Sequence, residues 1–241
     1  MQTQSERINW IPDPFHNAAR NLAKDAVDRF LKKNQVVGLG SGPMAAAIVA
    51  EMANFDGKET LECIPSSFQI KLEAERSGLR LVDESRIPEI EVVFDGADEI
   101  DRNFNMIKGG GGALLREKVL HFAAKQIIIT AETKKFVPVF TWPVPIEVHP
   151  FAIDIVKKKL QDLGGSPRMR MLKEGYAYVT QNGNFILDTT FKFSTSDDAI
   201  RQEEIKLKSI PGVIEVGLFT SRRGVFYKAK ENGSFEAIEK Q

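Results

Sequence analysis

The chain of 241 residues has a single cysteine, Cys63, so an internal disulfide is excluded. It also lacks an excess of either charge: 33 Lys and Arg balance 33 Asp and Glu, with no long block of one sign. The electrostatic footprint expected of a nucleic-acid or anionic-membrane binder is therefore absent. No apolar run approaches the roughly 20 residues of a membrane-spanning helix. No positively charged, cleavable leader opens the sequence, and no internal repeat or low-complexity tract interrupts it. The histidines, His16, His121 and His149, lie far apart and show no metal-ligand spacing. These absences leave a globular chain expected in the cytoplasm, with no nucleic-acid or membrane partner and no required metal. A hydrophobic content of 42% suffices for one large core or two modest ones.

What is present begins with "VVGLGSGPMAAAIVAEMA" at 36–53, an apolar strand followed by Gly38, Gly40 and Gly42 and an Ala-rich helix opened by Pro43. A strand turning through glycines into a helix N-terminus directs backbone N–H groups and the positive end of the helix dipole at an anion. Neither the dinucleotide fingerprint, which needs a third glycine where Pro43 stands, nor a P-loop Gly-Lys-Ser/Thr is found. Taken alone, the turn reads equally as an anion site and as a structural glycine turn. An amphipathic helix is expected over 18–31, with Leu22, Ala26, Val27 and Phe30 on one stripe. Strands at 61–64, 79–82, 91–94 and 126–130 alternate with helices at 67–77 and 113–125, the pattern of a parallel sheet covered on both faces.

Pro143, Pro145 and Pro150 mark a change of texture. Beyond them, a helix at 151–163, a hairpin-like segment around Asn182-Gly183, a helix at 196–208 and the strand "VIEVGLF" form an α+β pattern. The segment "GVFYKA" is placed to return to the first sheet. The expected organisation is a Rossmann-like parallel-sheet domain, residues 1–140 plus 220–241, with a smaller α+β, ferredoxin-like domain at 141–219.

Ligands of open parallel sheets bind beyond the strand carboxyl ends. After the strand at 91–94 comes "DGADEID", with Asp95, Asp98, Glu99 and Asp101. By itself this run reads more readily as a solvated acidic turn than as a metal or proton-sharing site. It gains meaning from "IKGGGGALLREK" at 107–118. Four consecutive glycines carry a large entropic cost, so close approach of backbone to a ligand is the better reading than a mere connector. Their N–H groups and Lys108 suit a developing oxyanion. In the helix that follows, Leu115, Val119 and Phe122 are expected to form the buried stripe, leaving Glu117 to face a cleft. "AETKK" offers Lys134 and Lys135 at another strand end, where a phosphate contact competes with simple solvation. Ser66 and Ser67 read first as helix caps, and Cys63 as a core residue.

The combination of "DGADEID", "IKGGGGALLREK" and "AETKK" resembles the type A ribose-5-phosphate isomerases. "NQVVGLGSG", "IPSSFQ", "VPIEVHP", "GGSPRMR", "NGNFILD" and "IPGVIEVGLF" extend the resemblance, in the same order, over nearly the whole chain. The resemblance implies interconversion of ribose 5-phosphate and ribulose 5-phosphate through an enediol, in the non-oxidative pentose phosphate pathway, without metal or organic cofactor. Carried over by position, it implies Glu117 as the base moving a proton between C1 and C2, and Asp95 and Asp98 as the acidic pair contacting sugar hydroxyls, one of them assisting ring opening. It implies Lys108 with the N–H groups of the glycine run, chiefly Gly109 and Gly110 with Gly111 beside them, as the enediolate site. The phosphate side falls on Gly40, Ser41, Gly42, Pro43, Met44, Lys135 and Arg20, and the family habit points to a homodimer or homotetramer.

Departures concentrate at the phosphate end. Where the family usually writes Gly-Thr/Ser-Gly-Ser-Thr, this chain has Gly40-Ser41-Gly42-Pro43-Met44, which removes two hydroxyls and one backbone donor. Each hydrogen bond to a charged group is worth roughly 1.5–3 kcal/mol, so a raised KM is expected unless other groups compensate. Arg20 stands where lysine is common, Leu115 for a threonine and Glu132 for an aspartate. The alternatives are an isomerase for another sugar phosphate, or a catalytically impaired sugar-phosphate-binding paralogue.

Overall fold

A computed structural model describes residues 14–82, 89–220 and 224–240. The expected absence of a leader concerns the first 13 residues, which lie outside the described ones. In chain order the first elements are α1 (His16–Phe30), β1 (Val36–Leu39), α2 (Pro43–Met52), β2 (Glu62–Pro65), α3 (Phe68–Arg76), β3 (Ile90–Gly96), β4 (Glu99–Ile100) and β5 (Met106–Ile107). Then come α4 (Leu114–Ala123), β6 (Ala124–Glu132), β7 (Val144–Val148), α5 (Ile153–Asp162), β8 (Ser166–Met169) and β9 (Phe185–Thr190). They are followed by α6 (Asp197–Lys208), β10 (Val213–Val216), β11 (Leu218–Phe219), β12 (Gly224–Ala229) and β13 (Phe235–Lys240).

The chain packs as two units. One comprises 1–96, 116–134 and 223–241; the other comprises 97–115 and 135–222. The first contains a six-stranded sheet in the order β13-β12-β6-β3-β1-β2. All its neighbours are parallel except β12 and β13. The inner strands of such a sheet are covered on both faces, and β1 and the middle of β3 and β6 are accordingly apolar and buried. In α1, Ala18, Leu22, Ala26 and the residues beside them turn a three-to-four-residue apolar repeat inward. In α2 nearly every side chain is buried, which the run Met44–Ala50 of small and aliphatic residues permits. The strand order reverses between β1 and β3, the point where doubly wound sheets open a crevice for a ligand.

The second unit is built on a four-stranded antiparallel sheet, β10-β7-β9-β8, with α5 and α6. Read from β7 onward the order is β-α-β-β-α-β, the split ferredoxin-like arrangement. A core of its own includes Val144, Ile146, Val148, Val156, Leu160 and Leu187. A small antiparallel sheet, β11-β5-β4, completes the unit. The fold class is that expected from the sequence, a parallel α/β sheet with a smaller α+β partner. No helix among the described residues is long and apolar enough to cross a membrane.

The expected faces of α4 are corrected. Val119 is 42% and Phe122 78% exposed, whereas Leu114, Glu117, Leu120 and His121 are buried. The inward face carries two polar residues, so a stripe chosen by hydrophobicity selects the outward side.

Candidate active site

In the first unit, β1 ends at Leu39 and the chain turns through Gly40-Ser41-Gly42 into α2. Gly42 has φ +95°, a conformation that glycine adopts without strain, and Pro43 occupies the first helical turn, where its missing N–H costs no helical hydrogen bond. Gly40 is required for a different reason: a Cβ there would lie 2.0 Å from Asp95 Oδ1. Asp95, at the end of β3, uses that closeness. Its Oδ1 accepts the N–H groups of Ser41 at 3.1 Å and Gly96 at 2.7 Å. Its Oδ2 lies 2.7 Å from His121 Nε2 on α4, with both side chains buried. Glu117 lies on the same helix one turn before His121, on the same buried face.

The first N–H groups of α2 have no carbonyl four residues behind them within the helix and are directed out of its N-terminus, the disposition that suits an anion. Beside them stands a hydroxyl cluster: Ser41 Oγ is 2.8 Å from Ser66 Oγ and 3.0 Å from Ser67 Oγ. Ser67 also caps α3, accepting the Ile70 N–H at 3.3 Å. Met44 is 2% exposed and its side chain joins the apolar core. The residue that replaces a hydroxyl in the family's turn therefore packs inward and leaves only its backbone at the helix end. Arg20 is exposed on α1. Cys63 is buried in the core, and burial pushes its thiol up to about 12, far from a nucleophile's range.

In the second unit the acidic run divides its labour. Asp98 Oδ2 accepts the Gly110 N–H at 2.7 Å. Glu99 is buried and accepts the N–H groups of Thr141 and Trp142 at 2.8 and 3.0 Å. Asp101 closes its own turn through the N–H groups of Asn103 and Asn105, each at 2.8 Å. Lys108 follows β5, is 2% exposed, and holds its ammonium 5.5 Å from the centre of the Phe219 ring. Its carbonyl needs the space at Gly217, where a Cβ would sit 2.4 Å away. Gly109 and Gly112 have φ +99° and +82°, and the Gly112 N–H closes the loop on Gly109 O at 2.9 Å. Lys135 ends a short 3₁₀ turn after β6 and is half-buried.

The structure thus gathers Gly40, Ser41, Gly42, Pro43, Met44 and Asp95 in one unit, and Asp98, Lys108, Gly109, Gly110 and Gly111 in the other. Sequence reasoning missed His121. The available signal was its four-residue spacing from Glu117, which places both on one helical face. It also missed Arg170 and Tyr178, which touch the glycine loop from about 60 positions away. The Gly110 N–H, expected as an oxyanion donor, is engaged by Asp98.

Comparison with known proteins agrees with the resemblance seen in the motifs. The model of the family ribose 5-phosphate isomerase A (phosphoriboisomerase A) matches residues 62–233. The ribose-5-phosphate isomerase of Dictyostelium discoideum is 39% identical over 225 residues, 90% of this chain and 96% of that protein. The Homo sapiens ribose-5-phosphate isomerase is 37% identical over 235 residues, 92% of this chain and 73% of that protein. The solved ribose 5-phosphate isomerase A of Methanocaldococcus jannaschii superposes with a TM-score of 0.85 at 30% identity, covering 93% of this chain and 99% of that one. A D-ribose-5-phosphate isomerase in complex with phospho-erythronic acid gives 0.86 at 30% identity, covering 94% and 99%. This chain belongs to the ribose 5-phosphate isomerase A family.

Proposed function

We propose that the protein interconverts ribose 5-phosphate and ribulose 5-phosphate, with Glu117 as the base. The observation that carries this reading is Glu117 itself. A carboxylate is buried on the helix that begins one residue after a lysine and four glycines, a position that surface solvation does not explain. Glu117 takes the proton from C2 of the open-chain aldose and returns it to C1, so the substrate's own hydroxyl and carbonyl exchange roles. Lys108 and loop N–H groups stabilise the oxygen on which the enediolate charge develops. Asp98 holds the loop through Gly110 while contacting sugar hydroxyls. Asp95 assists ring opening, with His121 fixing its carboxylate.

The phosphate is assigned to the N-terminus of α2, with the hydroxyl of Ser41 and the cations Arg20 and Lys135. Pro43 supplies no N–H and Met44 no hydroxyl, so the KM for ribose 5-phosphate is expected to be raised. Ser66 and Ser67, linked to Ser41, keep hydroxyls at this end of the sheet and offset part of that loss.

The protein is further proposed to work in the cytoplasm and to assemble as a homodimer or homotetramer. Large apolar side chains left exposed on the second unit, among them Tyr176 and Val179, supply contact area. Light scattering coupled to size exclusion measures the assembly.

The activity is tested by following ribulose 5-phosphate formation from ribose 5-phosphate over a wide concentration range, beside arabinose 5-phosphate and unphosphorylated ribose. Saturable turnover of ribose 5-phosphate alone is the expected result. Equal or faster turnover of another aldose would assign the site to that sugar.

A further inference from the structure

Three consecutive carbonyls of the glycine loop are held by side chains of the second unit. Arg170 Nη1 donates to Gly109 O at 2.9 Å and to Gly110 O at 3.0 Å. The Tyr178 hydroxyl donates to Gly111 O at 3.0 Å. Arg170 is itself fixed, its Nε and Nη2 donating to the two oxygens of Asp188 on β9 at 2.8 and 2.5 Å. Its guanidinium carbon lies 5.7 Å from the centre of the Tyr178 ring. One rigid fork therefore ties a sheet carboxylate to two successive loop peptides. Lysine, with a single ammonium, cannot reproduce that geometry.

The carbonyl of a trans peptide and its N–H point in opposite directions. With Gly110 O held by Arg170, the N–H of Gly111 is aimed away from the guanidinium. The donors on either side of it are already committed: the Gly110 N–H to Asp98 Oδ2 at 2.7 Å and the Gly112 N–H to Gly109 O at 2.9 Å. The Gly111 N–H has no partner among the described residues, and a Cβ on Gly111 would meet nothing within 4 Å. The Gly111 amide is thus uncommitted, and its α-carbon faces open space. A cation on the carbonyl oxygen of the same peptide also polarises it and strengthens the N–H as a donor.

We propose that Arg170 is a positioning residue for the isomerisation, holding the Gly110–Gly111 peptide so that the Gly111 N–H is aimed at the enediolate oxygen. Tyr178 supports the same loop one peptide further on. Burial raises its phenol above the usual range against the opposing effect of Arg170, so the hydroxyl stays a donor. The inference rests on the isomerase reading but makes a separable claim. An amide aimed at developing charge contributes to the transition state and little to ground-state binding.

The experiment compares wild type with Arg170→Lys and Tyr178→Phe, each checked for folding by circular dichroism. It measures kcat and KM for ribose 5-phosphate, and the calorimetric affinity for phospho-erythronic acid, whose carboxylate carries charge near the reacting carbons. Arg170→Lys is expected to lower kcat by about 10–100-fold, a fraction of the loss seen on deleting an oxyanion donor. The phospho-erythronic acid affinity should fall with it, while KM stays within about threefold. Tyr178→Phe should produce the same pattern, smaller. Wild-type kcat and phospho-erythronic acid affinity in folded Arg170→Lys would overturn the proposal, as would a change confined to KM. If wild type binds phospho-erythronic acid but shows no turnover, the isomerase reading fails. The affinity ratio between wild type and Arg170→Lys then still decides whether Arg170 positions the loop.

Discussion

At Gly40 the constraint is a single missing carbon. Because a Cβ would overlap the Asp95 carboxylate, Gly40→Ala must displace Asp95 from the amides of Ser41 and Gly96. Overpacking of this kind costs about 1–3 kcal/mol, so chemical denaturation should show a loss in that range, accompanied by loss of activity. Met44 offers the opposite test. Its side chain is buried in the core, so the change is made beside it: Pro43→Ser restores a backbone donor and one hydroxyl at the proposed phosphate end. One regained bond to a charged group is worth roughly 1.5–3 kcal/mol, so KM should fall about tenfold or more with kcat little changed. An unchanged KM would mean that other groups hold the phosphate. Cys63, with its thiol raised to about 12, should resist iodoacetamide at pH 8 in the folded protein and react only on unfolding.

At the scale of elements, α4 separates what the sequence discloses from what it conceals. Many strand and helix positions follow from apolar runs bounded by glycine and proline: β1, β3 and β6 lie where such runs predict, whereas 79–82, expected as a strand, makes only an isolated bridge from Leu81 to Cys63. The hairpin composition Asn182-Gly183 marks a true turn: Gly183 has φ +79° and the flanking bridge joins Val179 to Phe185. The inward face of α4 was not legible, because Glu117 and His121 take positions that hydrophobicity would award to Val119 and Phe122. Mutation distinguishes the faces. Leu120→Ala should cost about 2–5 kcal/mol, whereas Val119→Ala should change stability by about 0.5 kcal/mol or less in denaturant titrations. The strand β13 escaped notice because "FEAIEK" alternates charged and apolar residues at an exposed edge. The brace of Arg170 and Tyr178 on the glycine loop was equally invisible. Sequence spacing carries information about neighbours along a helix or strand, and this brace arises between segments some 60 residues apart.

At the scale of the whole molecule, each unit has its own core, and the chain crosses between them more than once. The last strands are integral to the first unit: β12 pairs along its full length with β6 and buries Tyr227, whose hydroxyl donates to Asp25 and accepts from Arg29. Burial, reinforced by Asp25, raises the Tyr227 phenol above its ordinary value of 10.0, as burial raises the Cys63 thiol above 9.0. The folded state therefore retains protons that the unfolded chain loses above these ordinary values. Stability is fully present below about pH 9 and falls as pH rises through the range between unfolded and folded values. Urea midpoints should accordingly be lower at pH 10.5 than at pH 8, and Tyr227→Phe should flatten that decline.

The central claim, that a buried carboxylate on α4 performs the proton transfer, is tested most directly by turnover of Glu117→Gln beside wild type, with folding and phospho-erythronic acid binding as controls. The account predicts saturable ribulose 5-phosphate formation by wild type and a loss of at least about 10²–10⁴-fold in kcat for the folded variant. A folded Glu117→Gln protein with kcat near that of wild type would contradict it.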